Sequence, residues 1–439
     1  MKPEDVKKAL QASIQDLSQA KWLFSNTPEK DFTRNRKLPF EKVISAILAF
    51  RGGTLNHEMS DFFGLEPDIA TSSAFIQQRS KILPEAFESL LHHFTSAIDE
   101  NKLYHGLRLL AVDGSDLQTP ANPNDPDSFF SGTNGQKAYN LLHINAIYDL
   151  LQHIYLDTVI QKKRNADESG ALTNMTDRSD IEKALLLADR GYESYNNLAH
   201  IQEKGWYFLI RIKDNTNGIT SGLNLPDKDE YDIPFHLNLT RKQSNNVKQL
   251  LRDNNHYKFI PSSTRFDYLP QSSRKQDPAV FYGLSFRIVR FPLSGSMCET
   301  IITNLDAGQF PLPTIKKLYA MRWGIETSFR DLKYTLGLLH LHAKKIDLIL
   351  QEIFAKLTMY NFCELITRST VIQQGKRKYA YKVNFSDSVR VCFAFFRGIL
   401  PSQNVEALLM RYLSPIRPGR SGTRKQTQKP SVRFIYRVA

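Results

Sequence analysis

The sequence predicts a mixed α/β protein with helices before and after its sheet-forming part, on three observations. Five apolar runs of strand length lie between Leu107 and Lys213, and a single helical segment interrupts them. The stretch before them, to about residue 100, keeps helical spacing with turn signals between segments. After Asp214 the chain passes to short alternating runs among Pro, Asn and Ser clusters, and from about Thr314 it returns to helical periodicity.

The opening "MKPEDVKKALQASIQDL" is charged and helical, and lacks the apolar core of a signal peptide. "PFEKVISAILAFRGGTLNHEMSDFFG" has helical spacing on both sides of a Gly-Gly turn. In "ATSSAFIQQRSKILPEAFESLLHHF", Thr71, Ser72 or Ser73 can cap a helix that carries Gln77, Gln78, Arg79 and Lys81. A helix, a turn and a polar, basic second helix suit a DNA-reading helical domain over residues 1–100, with Arg79 and Lys81 as candidate contacts. An ordinary helical bundle suits the same pattern.

The strand runs are "LRLLAVDG", "YNLLHINAIYDL" and "LQHIYLDTVI", then "KALLLADRGY" and "WYFLIRIK" after the helical "ADESGALTNMTDR". Three strands, a helix, then further strands is the order of a ribonuclease-H-like α/β core. On this reading the core runs over 101–213 and 307–370 and is split by a β-rich insertion at 214–306, which holds "AVFYGLSFRIVRF" and "CETIITNL". A helical C-terminal region, 371–439, ends in a basic tail expected to lack fixed structure after Pro415.

The 439 residues, 41% hydrophobic and 11% aromatic, can bury several cores. No stretch reaches about 18 uncharged apolar residues, so no membrane span is expected. Cys298, Cys363 and Cys392 are odd in number and far apart, matching neither a zinc spacing nor a disulfide framework, which suits a reducing, cytoplasmic setting. The net charge of +13 is concentrated at the end: residues 371–439 hold 14 Lys and Arg against two acids, hence +12. The last of these, "RPGRSGTRKQTQKPSVRFIYRVA", contains seven basic residues and no acid. Such asymmetry points to a polyanionic partner, most often nucleic acid.

Two carboxylates stand at the ends of apolar runs, Asp113 in "AVDGS" and Asp189 in "LLADRGY", the first one residue and the second two residues before a glycine that leaves backbone room. A third candidate, Glu326, lies in "YAMRWGIETSFRDLK". There Tyr319, Arg322, Glu326 and Lys333 are spaced by three, four and seven, which at about 100° per residue keeps them within about a 60° sector of one helix. Leu318, Ile325, Phe329, Leu332 and Leu336 form an apolar stripe beside that line. Taken alone, the polar line reads as a solvated face. Two strand-end aspartates and a helix glutamate can, however, supply the oxygen ligands that hard divalent cations need, including the shared carboxylate of a pair about 4 Å apart. Such ions activate a water or 3′-hydroxyl for in-line phosphodiester displacement. The histidines of "LHHF" and "LHLHAKK" have no clean ligand spacing and read as structural.

"DGS" at Asp113, "DRGY" at Asp189 and the Tyr-x2-Arg-x3-Glu-x6-Lys pattern from Tyr319 to Lys333 resemble the DDE transposases of the insertion-sequence-four family, over residues 65–439. "SAFIQQRSKI" and "IRPGRSGTRKQ" are softer matches. The resemblance implies a metal-binding catalytic triad of Asp113, Asp189 and Glu326 with two Mg²⁺ or Mn²⁺ ions. It makes Tyr319, Arg322 and Lys333 phosphate contacts around the scissile bond, and adds Arg190, Arg211 and Lys213 as further DNA contacts. It implies double-stranded DNA as partner, both transposon-end inverted repeats and target, and a homodimer in the synaptic complex. In one respect the sequence departs from the family. A Trp in the insertion stacks on a flipped base in the best understood relatives, but here the three Trp are Trp22, Trp206 and Trp323. Tyr231, Tyr257, Phe266, Tyr268 or Tyr282 would have to take that place. Two alternatives stay open at this point: a non-catalytic DNA-binding regulator derived from a transposase, and another ribonuclease-H-like nuclease.

Overall fold

The structure is a computed structural model describing residues 1–416 except 35, 66, 133–136, 214–217, 272–276, 294–296, 371 and 373–378. The basic ending from Arg417 onward, and the role expected of it, therefore lie outside the described residues.

Five helices come first: α1 (Pro3–Gln19), α2 (Phe40–Ala49), α3 (Leu55–Phe63), α4 (Ser72–Arg79) and α5 (Glu85–Ile98). The Gly-Gly turn separates α2 from α3. Thr71 caps α4, its hydroxyl oxygen accepting from the Ala74 N–H at 3.2 Å.

The middle of the chain builds one large sheet. Strands β1 (Arg108–Thr119), β3 (Tyr139–Asp149) and β4 (Ile154–Lys162) pair antiparallel, with the short β2 (Phe129–Phe130) on the edge of β3. After helix α6 (Glu168–Asp177), β5 (Ala184–Ala188) joins β1 in parallel. After α7 (Tyr195–Glu203), β6 (Tyr207–Arg211) joins β5 in parallel. The next segment continues the same sheet rather than starting another. It comprises β7 (Tyr231–Thr240), the short helix α8 (Asn245–Leu250), β8 (Tyr257–Phe259), β9 (Tyr282–Pro292) and β10 (Cys298–Thr303), in the order β6-β10-β9-β7-β8. The first half of β1 and all of β5 carry near-continuous apolar runs because both faces are covered, whereas β7 alternates exposed with buried residues. Leu109, Ala111, Leu185 and Leu187 face the core shared with the N- and C-terminal helices, while Leu110, Val112, Leu186 and Ala188 face α6 and α7.

The helix expected over Thr314–Leu336 divides into α9 (Leu312–Met321) and α10 (Trp323–Arg330), followed by a π-helical turn at Asp331–Thr335. At the division the Arg322 N–H bonds to the Tyr319 carbonyl and the Ile325 N–H to the Arg322 carbonyl, a tighter winding than the α-helix. The polar line is also not solvated: Tyr319 and Arg322 are 4% and 3% exposed. Gly324 permits this burial, since a Cβ there would lie 2.9 Å from Leu150 Cδ2 and hold α10 off the sheet.

Helix α11 (Ile346–Ser369) is buried along nearly its whole length among α5, α1, α2 and α12 (Phe385–Phe396), and α13 (Ser402–Leu409) packs on α12. Its polar residues bind the N-terminal helices to the core, which corrects the expected role of Arg79 as a DNA contact. Arg79 is 1% exposed. Its guanidinium pairs with Glu352 at 2.8 Å, donates to Gln351 Oε1 at 2.9 Å and reaches the Leu348 carbonyl. His342 donates its backbone N–H to the Glu352 carboxylate at 3.0 Å, and its Nδ1 lies 3.1 Å from the same oxygen, so this histidine is structural. Burial alone would raise the Glu352 carboxyl, but Arg79 and His342 outweigh it and hold it at about 2. Lys81, one third exposed, reaches Gln78 Oε1 at 3.3 Å and Asp31 at 3.7 Å. No helix among the described residues is long and apolar enough to cross a membrane.

Candidate active site

The sheet register sets the two aspartates side by side. The parallel ladder of β1 and β5 closes on Ala111 opposite Leu187, and two residues further along each chain come Asp113 and Asp189. Neighbouring strands are about 4.8 Å apart, so the two acids stand at one height. Asp189 lies just past the end of β5, but Asp113, expected to end its strand, lies midway along β1, which stays paired with β3 as far as Thr119. They share a local device. The Gly114 N–H donates to Asp113 Oδ1 at 2.9 Å, and the Arg190 N–H donates to Asp189 Oδ1 at 2.8 Å. One place past the pairing of Ala188 with Ile210 lies Arg211, whose Nη1 is 3.7 Å from Asp189 and whose Nε is 3.5 Å from Glu299 on β10.

Glu326 reaches the same region from α10. Its carboxylate accepts from Arg322 Nη2 at 2.9 Å. The Arg322 guanidinium carbon also lies 5.5 Å from the ring centres of both Tyr319 and the half-exposed Trp323. Lys333, on the π turn, donates to Ser115 Oγ at 2.7 Å and to the Asp116 carbonyl at 2.6 Å, tying the glutamate-bearing segment to β1. Arg190 and Lys213 are exposed at the ends of β5 and β6, where the Lys213 backbone N–H is held by Glu193 at 2.8 Å.

The electrostatics record the crowding of like charge. Burial pushes the Asp113 carboxyl up to about 6; its bond from Gly114 and Arg322 oppose this, while Glu326 and Asp189 add to it. Burial likewise raises the Tyr319 phenol. The Tyr319 hydroxyl and Arg322 Nε are buried without a well-formed hydrogen bond among the described residues.

Sequence reasoning missed four polar residues here. Glu299 sits on a strand that reads only as β-rich, and burial raises its carboxyl while Arg211 and Arg322 lower it. Glu168, His143 and Lys163 gather behind β1, on the α6 side of the sheet. Burial lowers the His143 imidazole, but hydrogen bonds to Asp116 and Glu168 outweigh it and bring it to about 9. The alternation of apolar and polar residues in "LLHINA" is the one signal that marks His143 as turned toward this cluster. Of the aromatics expected to replace a Trp in the 214–306 segment, Phe266 is buried. Its ring lies 5.3 Å from that of Tyr282, which in turn lies 5.4 Å from Tyr268. A cavity of about 900 Å³ opens around Asp99, Arg108, Arg178 and Lys183, and none of the candidate carboxylates lines it.

Among the described residues no group of three or more His, Cys, Asp or Glu side chains stands close enough together to hold a metal ion. The carboxylates face a common region without closing on one point. Their chemistry nevertheless fits a hard cation: all three donors are carboxylate oxygens, and Glu326 and Asp189 act on the buried Asp113 carboxyl as like charges.

Two acids level on neighbouring strands, with a helix glutamate beside the buried Arg322, form the candidate site, and comparison with known proteins gives the family. Residues 104–362 match the transposase DDE domain family, and the chain belongs to that family. It is thus a DNA transposase, a polynucleotidyl transferase, and the family depends on divalent metal. Transposase InsG for insertion sequence element IS4 of Escherichia coli (strain K12) is 25% identical over 372 residues, covering 81% of this chain and 75% of the relative. The transposase for insertion sequence element IS231B of Bacillus thuringiensis subsp. berliner is 23% identical over 65% of this chain and 62% of the relative. A piggyBac transposase, solved as a synaptic complex with hairpin DNA, aligns over 96% of this chain and 87% of that one at 9% identity and a TM-score of 0.46.

Proposed function

We propose that this transposase cuts the ends of its element and joins them to target DNA at Asp113, Asp189 and Glu326, which would hold two divalent ions, Mg²⁺ or Mn²⁺. The observation that carries this reading is the register that puts Asp113 level with Asp189 while α10 brings Glu326 to the same region. The bound ions supply the Lewis acid that activates the attacking oxygen and stabilises the leaving one. The chain's own residues bind and orient the DNA. Arg322, buried and already beside Glu326, holds an oxygen of the scissile phosphate with the Nε that lacks a partner. The Tyr319 hydroxyl donates to the same phosphate, and Lys333 holds the next one from its place against β1. Arg190, Arg211 and Lys213 extend the cationic strip along the strand ends, and Lys81 contacts the duplex from the N-terminal helices.

The strand order β4-β3-β1-β5-β6, antiparallel and then parallel, supports a ribonuclease-H-like catalytic core over 101–213 and 307–370. Residues 1–100 bind the end repeats, 214–306 are the β-rich insertion, and 371–439 add a basic helical region. The protein acts as a homodimer that pairs two ends.

The test is a cleavage and strand-transfer assay of the purified chain with duplexes carrying the element's own ends and Mg²⁺. The expected result is nicking at the end, followed by joining to a target. Binding without cleavage in any divalent metal would instead identify a non-catalytic regulator. Cutting of branched junctions in preference to ends would identify another kind of nuclease.

The tail is expected to add affinity without specificity. Each phosphate contact contributes about 0.9 to the slope of log affinity against log salt. Deleting residues 417–439 therefore weakens binding to end and random duplex alike and flattens that slope in a titration across salt concentrations. An unchanged slope would show that the tail's seven basic residues stay off the DNA.

A further inference from the structure

Asp113 is followed directly by Gly114, and Asp189 stands two residues before Gly191; the proposed function explains neither glycine. The structure shows what fills the space they leave. A Cβ at Gly114 would collide with the His143 imidazole, and one at Gly191 would lie 3.3 Å from Glu168 Oε2. These two neighbours are themselves a pair: His143 Nε2 is 3.0 Å from Glu168 Oε1. The other imidazole nitrogen, Nδ1, is 2.6 Å from Asp116, which also binds Lys163 at 2.8 Å. Asp116 and Lys163 thus fix the ring from behind, and the ring fixes Glu168 at the start of α6, beneath both aspartates.

A second observation points into the same space. Tyr192, the last residue of "DRGY", is 2% exposed, and its hydroxyl has no hydrogen-bond partner among the described residues. Burial and then the charges of Asp113, Glu168 and Asp189 act on its phenol and keep it protonated, a donor without an acceptor. A buried hydroxyl is costly to leave unsatisfied, so this donor is available to an acceptor that enters the space beside Asp113, Glu168 and Asp189.

We propose that Glu168 is a fourth acidic group of the cation site, oriented by His143, and that with the Tyr192 hydroxyl it holds the hydration shell of a cation bound at Asp113 and Asp189. Mg²⁺ keeps several of its waters when bound to proteins, so outer contacts of this kind suit side chains that do not close on one point. Glu168 acts from the α6 face of the sheet and Glu326 from the α10 face. Gly114 is required because any side chain there would expel the imidazole that orients Glu168. The inference rests on the reading of Asp113 and Asp189 as cation ligands.

The experiment is Mn²⁺ binding to the full chain without DNA, by calorimetry, for the parent and for Glu168→Gln, Tyr192→Phe and Asp113→Asn, with metal-free melting temperatures measured alongside. Removing an outer-shell partner commonly weakens metal binding about 10–100-fold. Glu168→Gln and Tyr192→Phe are each expected to lose about tenfold in Mn²⁺ affinity. Tyr192→Phe is also expected to melt no earlier than the parent without metal, since its hydroxyl has no protein bond to lose. Should Glu168→Gln melt early, Tyr192→Phe reads the same site in a folded chain. If Asp113→Asn loses Mn²⁺ while both other variants bind it within about twofold of the parent, this inference fails and the triad reading stands. If Asp113→Asn also binds like the parent, the triad reading fails and this inference falls with it.

Discussion

Replacing Glu326 with Gln is expected to slow strand cleavage about a thousandfold or more while end-DNA affinity and melting temperature stay near those of the parent. The amide keeps the shape of the side chain and can still accept a hydrogen bond from Arg322, so packing on the sheet survives. It cannot supply the negative oxygen that a divalent cation requires. The Glu326–Arg322 ion pair at 2.9 Å joins a glutamate whose side chain is 27% exposed to a buried guanidinium. The guanidinium stays buried in the variant, but the amide oxygen still accepts from it, so Arg322 is not left without a partner. A large loss of chemistry with little loss of stability is therefore the signature of a ligand. Binding, melting and Mg²⁺-dependent nicking measured on one preparation give the comparison. If Glu326→Gln nicks ends at the parental rate, the polar line on α9 and α10 is only a packed seam and the chemistry lies elsewhere.

Arg79→Ala is expected to show the opposite pattern, a loss of about 3–5 kcal/mol of stability with no selective loss of DNA affinity. The substitution removes the guanidinium that compensates Glu352 in a region where both side chains are 1% exposed. Glu352 would keep only His342, and Gln351 Oε1 would lose its donor. The Leu348 carbonyl would also lose its contact with the guanidinium near the start of α11. The joint between the N-terminal helices and α11 should loosen first. Denaturant unfolding followed by tryptophan fluorescence measures the loss. A variant that unfolds like the parent but binds end DNA poorly would return Arg79 to the DNA surface and overturn the burial described above.

The contrast between these two residues shows where sequence reasoning stops. In "SAFIQQRSKI" an arginine on a short polar helix reads as exposed, because helical periodicity over eight residues cannot reveal a partner some 270 positions away. Strands β1, β3, β4, β5 and β6 were legible since both faces of the sheet are covered and each run is almost wholly apolar. The joining of β10 to β6, which makes one sheet of the whole middle of the chain, depends on long-range pairing that no local pattern encodes. On the glutamate-bearing segment the spacing of Tyr319, Arg322 and Glu326 was legible as a line. Its burial was not, because it follows from Gly324 letting α10 approach Leu150. The π turn at Asp331–Thr335 likewise has no signal in the spacing, yet it carries Lys333 to Ser115. Glu168 and His143 escaped notice because each is a single polar residue, and only the fold brings them under the two glycines.

The central claim is that Asp113 holds a cation that the cleavage step requires. The measurement that tests it most directly is end cleavage by Asp113→Cys in Mg²⁺ and in Mn²⁺. A thiolate is a softer ligand than a carboxylate and accepts Mn²⁺ more readily than Mg²⁺. The expected result is no detectable cleavage in Mg²⁺ and partial recovery in Mn²⁺, with end binding unchanged in both. Cleavage by Asp113→Cys at the parental rate in Mg²⁺ would contradict the account, because the carboxylate would then have no part in holding the ion.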